Sequence, residues 1–158
     1  MNDALEEKEK SKKGGKFEVF FESLMQREKD FRFVFKHARS ELGEIDYVYS
    51  HNLPEHHFWK IFPYICVECK NWEDDIGPRE INHLKTLIDE KAPFSCCGVY
   101  ITSSSYLPSA INAINFCRAS DKIVIVPVEG KDLANLVEQG FIHFIQALCE
   151  SKVFKKTG

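Results

Sequence analysis

The spacing of apolar residues changes character along the chain, and each change marks an element. Between Lys16 and about Glu28, Phe17, Phe20, Phe21 and Leu24 fall at i, i+3, i+4 and i+7, one face of a helix. From Phe31 to His37 the period drops to two, Phe31, Phe33 and Phe35 alternating with Arg32, Val34 and Lys36, which predicts a strand. Gly43–Tyr49 reads as a second strand, and after a connection containing Pro54 a third runs from Ile61 to Lys70. Asp74 and Asp75 precede Gly77-Pro78, a helix start with proline in the first turn, and Ile81, Leu84 and Ile88 then repeat at helical spacing. Cys97–Thr102 is a fourth strand. Ser105 is a candidate cap for a helix from about Pro108 to Arg118, with Ala110, Ile111 and Ile114 turned inward. Lys122–Pro127 is a continuous apolar run, expected of a strand covered on both faces. Residues 131–150 predict one or two helices, broken or kinked near Gly140.

The order is therefore α, β, β, β, α, β, α, β, α. An antiparallel meander followed by crossovers predicts a mixed sheet with helices on both faces, a three-layer α/β domain. The expected organisation is a flexible charged arm over 1–15, one domain over 16–150 and a basic tail over 151–158. The chain holds 158 residues, 44% apolar and 28% charged, enough to bury a core. Its 13 phenylalanines suggest an aromatic one. No internal repeat, P-loop or dinucleotide-binding glycine fingerprint is present, so nucleotide binding has no support. No stretch has the apolar length of a membrane span, and the N-terminus lacks the apolar region of a signal peptide. The expectation is a cytoplasmic protein with no membrane partner.

Charge is unevenly spread. The net charge is −3, which argues against a protein that coats nucleic acid non-specifically. Residues 41–90 carry 11 acidic and 4 basic side chains between mildly basic flanks. Concentrated carboxylates are what a divalent-cation site needs, although an acidic solvated surface has the same composition. The six cysteines do not look like a metal cluster. Cys66 and Cys69 sit at odd spacing on a strand, as do Cys96 and Cys97, so each pair should point to opposite faces. With Cys117 and Cys149 they read as small buried hydrophobes. His51, His56 and His57 share a connection with no regular spacing to aim their rings at one ion.

The chemistry concentrates at the end of the third strand, Val67-Glu68-Cys69-Lys70. Period two puts Glu68 and Lys70 on one face with Cys66. A buried strand end should not carry a carboxylate and an ammonium without reason. Asp46 lies in the preceding strand, so two carboxylates and a lysine converge if the two strands form a hairpin.

Gly43-Glu-Ile-Asp46 followed by Val67-Glu68-Cys-Lys70-Asn71-Trp72 resembles the PD-(D/E)xK nuclease superfamily. The downstream Gly98-Val-Tyr-Ile-Thr-Ser103, a helix containing Ala110, and Lys122-Ile-Val-Ile-Val-Pro127 with Asp132-Leu133 resemble its Mrr-like restriction endonuclease branch. The resemblance covers roughly residues 14–137. It implies a restriction-endonuclease-like fold with an α-β-β-β-α-β core, and a role for the first helix, where many relatives carry an acidic residue in a Phe-Glu pair. Here that pair is Phe17-Glu18. Helix geometry agrees: Glu18 borders the apolar face and can overhang the sheet end, while Glu22 lies farther toward solvent.

The resulting expectation is a small Mg²⁺-dependent DNA endonuclease, with Mn²⁺ as a substitute ion, in restriction or another defence system. Asp46 and Glu68 would supply metal oxygens together with the backbone carbonyl of Cys69, whose side chain points into the core. Lys70 would orient or deprotonate the attacking water. Glu18 would act from the helix. The basic flanks Lys8 to Lys16, Arg27 to Arg39 and Lys152 to Lys156 would hold phosphates. Specificity would come from a homodimer or from a targeting or sensor partner. The alternatives are a Holliday-junction-type resolvase, or a non-catalytic nucleic-acid-binding or assembly subunit that keeps the nuclease fold.

Overall fold

The computed structural model describes residues 15–40, 43–53, 59, 62–91, 96–118 and 123–154. Helix α1 covers 15–25. Strands β1 (Phe31–Ser40), β2 (Gly43–His51) and β3 (Tyr64–Lys70) follow. Then come α2 (Pro78–Lys91), β4 (Cys96–Thr102), α3 (Pro108–Arg118) and β5 (Ile123–Val128). A 3₁₀ turn, Gly130–Asp132, leads into α4 (Leu133–Gln139) and α5 (Phe141–Phe154).

The five strands lie side by side in chain order. β1–β2 and β2–β3 are antiparallel, whereas β3–β4 and β4–β5 are parallel and joined by α2 and α3. The expected mixed α/β sheet is present, with a separate core on each face. On one face, Phe17, Phe21 and Leu24 of α1 meet Tyr47, Tyr49, Ile65, Val67, Val99 and Val126, closed by Phe141 and Ile145 of α5. This core is aromatic: Phe21 packs against Tyr47, Tyr49 and Phe141 with ring centroids 4.9–6.1 Å apart. On the other face, Ile81, Leu84, Leu87 and Ile88 of α2 and Ala110 and Ile114 of α3 cover Ile45, Cys66, Cys96, Tyr100 and Ile125. All seven residues of β4 are buried, because helices cover both its faces.

The structure refines several sequence expectations. α1 ends at 25, short of Glu28. Phe31, Phe33 and Phe35 do not share one buried face: the β1–β2 register shifts between Phe33 and Phe35, and these two rings are 54% and 60% exposed. An edge strand covered on one side cannot bury both. Ser105 does not cap α3, which begins at Pro108. Its carbonyl instead accepts the Ile76 N–H at 2.8 Å, part of a short parallel bridge between Ile76 and Tyr106. The break at Gly140 is there, with φ +83°, a left-handed conformation that glycine adopts without steric cost. α5 continues through 151–154, which the charge pattern assigns to a tail. Residues 1–14 and 155–158 lie outside the described residues, as do His56, His57 and the side chain of Cys117. Cys66 and Cys69, like Cys96 and Cys97, face opposite layers as their spacing requires. No helix among the described residues is long and apolar enough to cross a membrane.

Candidate active site

The sheet is irregular at one point, and the candidate residues gather there. Antiparallel pairing of β2 with β3 reaches back along β2 only to Tyr47–Val67, the residue after Asp46. Ile45 and Tyr47 pack into opposite cores although two residues apart, so the alternation of β2 fails at Asp46. On β1, between the Lys36–Tyr47 and Ala38–Ile45 pairs, stands His37, the one described non-glycine residue with positive φ, +53°. Such a conformation is uncommon outside glycine and costs on the order of 1 kcal/mol. The local distortion turns Asp46 out of the ladder. Its Oδ2 instead accepts the backbone N–H of Cys69 at 2.8 Å, which ties β2 to the end of β3 through a side chain.

Glu68 and Lys70 lie on the α2 side of β3. Lys70 Nζ is 3.1 Å from Glu68 Oε1, and the Asp46 N–H approaches Glu68 Oε2 at 3.4 Å. The three side chains line a cavity of about 320 Å³, which Trp72, Glu80, His83 and Tyr100 help to close. Glu68 is 7% exposed. Burial first, and the neighbouring Asp46 charge second, push its pKa up to about 7 against the pull of Lys70. Asp46 is raised too, by burial above all, although the Cys69 N–H and Lys70 oppose the shift. For Lys70, burial works against the charge, but the Glu68 and Asp46 carboxylates outweigh it and hold the ammonium above its usual range. The Cys69 thiol faces the other core and is pushed up by burial, so it is no nucleophile.

On the other side of the strand, Asp46 meets α1. One ligand atom each from Glu18, His37 and Asp46 lie within 4.8 Å of one another. Glu18 Oε2 is 3.7 Å from Lys36 Nζ, and Glu18 Oε1 is 3.8 Å from His37 Nε2. Glu22 has specific partners despite its place toward solvent: it binds Lys36 Nζ at 2.6 Å and accepts the Tyr47 hydroxyl at 2.9 Å. The four sequence candidates thus converge, with Asp46 shared between Glu68–Lys70 on one side and Glu18 on the other. Sequence reasoning missed His37 and Tyr100. Neither residue carries a local signal, because each enters the site through strand pairing.

The donor set suits a hard divalent cation. Two carboxylates crowded in a buried setting both resist ionisation, and a cation would relieve that strain. Tyr100, 1% exposed and opposite Glu68 in the β3–β4 register, adds a buried hydroxyl with no hydrogen-bond partner among the described residues. That hydroxyl leaves a polar contact on the cavity wall open to a water or a ligand atom.

A mixed sheet flanked by helices, with an aspartate and a Glu-x-Lys pair meeting where two strands part, is a restriction-endonuclease-like nuclease domain of the PD-(D/E)xK type. A model of the Mrr catalytic domain, described as a restriction endonuclease, matches residues 10–137, and the chain belongs to that family. No curated protein matches the sequence. Among solved structures, a repair endonuclease from Pyrococcus abyssi is similar at 14% identity and a TM-score of 0.47, over 72% of this chain and 45% of that one. EndoMS in complex with double-stranded DNA is similar at 14% identity and 0.45, over 72% and 42%. The MspJI restriction endonuclease bound to a 27-mer oligonucleotide is similar at 16% and 0.44, over 87% and 30%. This chain spans less than half the length of each of these three proteins.

Proposed function

We propose that the protein is a divalent-cation-dependent DNA endonuclease acting in restriction or another defence system, with Mg²⁺ as the working ion and Mn²⁺ able to replace it. The observation that carries this reading is the convergence of Asp46, Glu68 and Lys70 on one cavity, in a chain of the Mrr-type restriction endonuclease family. Asp46, Glu68 and the backbone carbonyl of Cys69 would hold the ion. When bound, it would supply positive charge to the phosphoryl oxygens and acidify the attacking water.

The protein's own groups do the rest. The Cys69 N–H fixes the Asp46 carboxylate, so the donor is aimed before any ligand arrives. Lys70 Nζ, 3.1 Å from Glu68 Oε1, is placed to orient the water and to offset the negative charge that grows on phosphorus-bound oxygen. In hydrolysis, water oxygen bonds to phosphorus, the P–O bond to the leaving sugar breaks, and the protons go to the base and the departing alkoxide. Glu18 and His37, on the α1 side of Asp46, would steer the ion or the substrate through this shared carboxylate. Specificity would come from a second copy of the chain or a targeting partner.

The test is incubation of the purified protein with plasmid, linear duplex, single strands, four-way junctions and RNA, each in Mg²⁺, Mn²⁺ and EDTA. DNA cleavage that needs the ion and disappears in Asp46→Ala, with the melting temperature kept, supports the reading. Preference for the junction over duplex would make the protein a resolvase. Binding without cleavage in any ion would make it a non-catalytic subunit.

A further inference from the structure

Trp72 follows directly on Lys70-Asn71 and is 40% exposed, an unusual place for the largest apolar side chain. The segment that carries it is firmly held. The Ser103 N–H donates to the Lys70 carbonyl at 3.1 Å, and Ser103 Oγ donates to Asn71 Oδ1 at 2.8 Å and to the Trp72 carbonyl at 3.2 Å. Ser104 Oγ donates to the Asp74 carbonyl at 2.7 Å, and the Ile76 N–H to the Ser105 carbonyl at 2.8 Å. The serine segment is itself clamped from behind: a Cβ on Gly130 would lie 2.3 Å from the Ser103 carbonyl oxygen, and the Gly130 N–H binds the Ser104 carbonyl. The indole is thus an exposed ring on a rigid mount. It lines the cavity of Asp46, Glu68 and Lys70, and also an adjoining surface groove with Asn71, Ser103 and Ser104. Lys70 Nζ sits 5.3 Å from the ring centroid, which couples the ring to the ammonium of the site.

We infer that Trp72 is a stacking platform for an unpaired nucleobase beside the scissile phosphate, so that the substrate is single-stranded or locally unpaired DNA. The inference rests on the nuclease reading for the phosphate and adds the base. Charge selects what lies on this loop. Glu73, Asp74 and Asp75, next in the chain, are exposed, and Glu73 shares the groove with the ring; these charges disfavour a phosphate laid on the indole, whereas the face of a base is neutral and stacks on it. A base within an intact duplex has both faces occupied by its neighbours. Only a base out of the stack can use the ring.

The fluorescence of the chain isolates the event. It has two tryptophans, and Trp59 is fully buried, so emission quenched by DNA reports Trp72. The experiment titrates the full chain in EDTA, where cleavage is blocked, with a single-stranded oligonucleotide and with its duplex. Wild type, Trp72→Phe and Trp72→Ala are compared. Expected are quenching of wild type by the single strand well beyond that by the duplex and, read for all three proteins by the anisotropy of a dye on the DNA, single-strand affinity lower by about tenfold or more in Trp72→Ala. Trp72→Phe keeps most of the affinity, since phenyl also stacks. In Mg²⁺, wild type cuts a duplex with an unpaired stretch faster than a continuous duplex, and Trp72→Ala lowers that ratio. Equal quenching by duplex and single strand, or an equal loss of both affinities in Trp72→Ala, overturns the platform and leaves Trp72 as a support for Lys70. Selective quenching without cleavage of any substrate keeps the platform and removes the nuclease reading.

Discussion

Two glutamate–lysine pairs flank the end of β2, made of the same residue types at similar distances, yet they behave oppositely. Glu68–Lys70 lies on the α2 side at 3.1 Å, and Glu22–Lys36 on the α1 side at 2.6 Å. The Glu68 carboxyl is pushed up to about 7, whereas the Lys36 contact holds Glu22 below its ordinary value. The difference is burial. The Glu68 and Lys70 side chains are 10% and 31% exposed, against 39% and 38% for Glu22 and Lys36. In water a lysine partner lowers a carboxyl pKa at little cost. Under α2 the lost hydration and the second carboxylate, Asp46, exceed what one lysine returns. A lysine beside a glutamate therefore does not mark a functional carboxylate. Burial beside a second carboxylate is what sets Glu68 apart.

The largest expected effect comes from removing the buried carboxylate charge. Glu68→Gln should lower cleavage by more than the roughly 10–100-fold typical of outer-shell changes, with the fold retained. It should also alter the pH dependence of stability in EDTA. The folded pKa of about 7 exceeds the ordinary 4.5, so between these values the folded state holds a proton that the unfolded state releases. The stabilisation is complete below about pH 4.5 and lost as pH rises through about 7. Wild type should thus melt at lower temperature at pH 8 than at pH 5, and Glu68→Gln should flatten this decline. Melts from pH 4 to 9 check it, and a decline equally steep in Glu68→Gln would put the raised pKa elsewhere.

Lys70→Ala should abolish turnover while keeping or strengthening Mg²⁺ affinity. The ammonium held up by Glu68 and Asp46 competes with the ion for the same carboxylates. Lys70→Arg should not rescue, because the planar guanidinium fork has a different reach and cannot place its charge where the ammonium sits. Calorimetry beside plasmid cleavage tests both. Loss of metal together with activity would contradict the role given to Lys70.

Glu18→Gln is expected to slow cleavage by about 10–100-fold, less than Glu68→Gln, since Glu18 reaches Asp46 from the helix side. An unchanged rate in a single-turnover assay would leave the α1 side out of the chemistry. Glu22→Gln should change least: stability within about 1 kcal/mol and a near-normal rate, as for exposed ion pairs. If urea melts and cleavage assays showed it as damaging as Glu68→Gln, burial would not be what separates the two pairs.

Much of this molecule is legible from local pattern. The helical spacing of Phe17, Phe21 and Leu24 and of Ile81, Leu84 and Ile88, the apolar run before Pro127, and the break at Gly140 each appear as elements close to where the sequence put them. Periodicity reports which face of an element is buried, and burial is local enough to be written in spacing. The same rule placed Glu68 and Lys70 on one face and Cys69 on the other. It failed for Phe33 and Phe35, because the register shift in β1 depends on its partner strand and not on its own residues.

Tertiary structure alone decided the shape of the site. The sequence holds Asp46, Glu68 and Lys70 but cannot show that β2 leaves the ladder at Asp46, or that the Cys69 N–H receives its carboxylate. It carries no sign that His37 and Tyr100 border the same residues, since each arrives from a different strand through pairing. Nor does it set the pKa of Glu68, which depends on how much water α2 and the neighbouring strands exclude. Residue type and spacing are properties of a segment. Desolvation, the mutual repulsion of charges and the direction of a side chain at a sheet irregularity arise only when distant segments meet, and those three quantities separate Glu68–Lys70 from Glu22–Lys36.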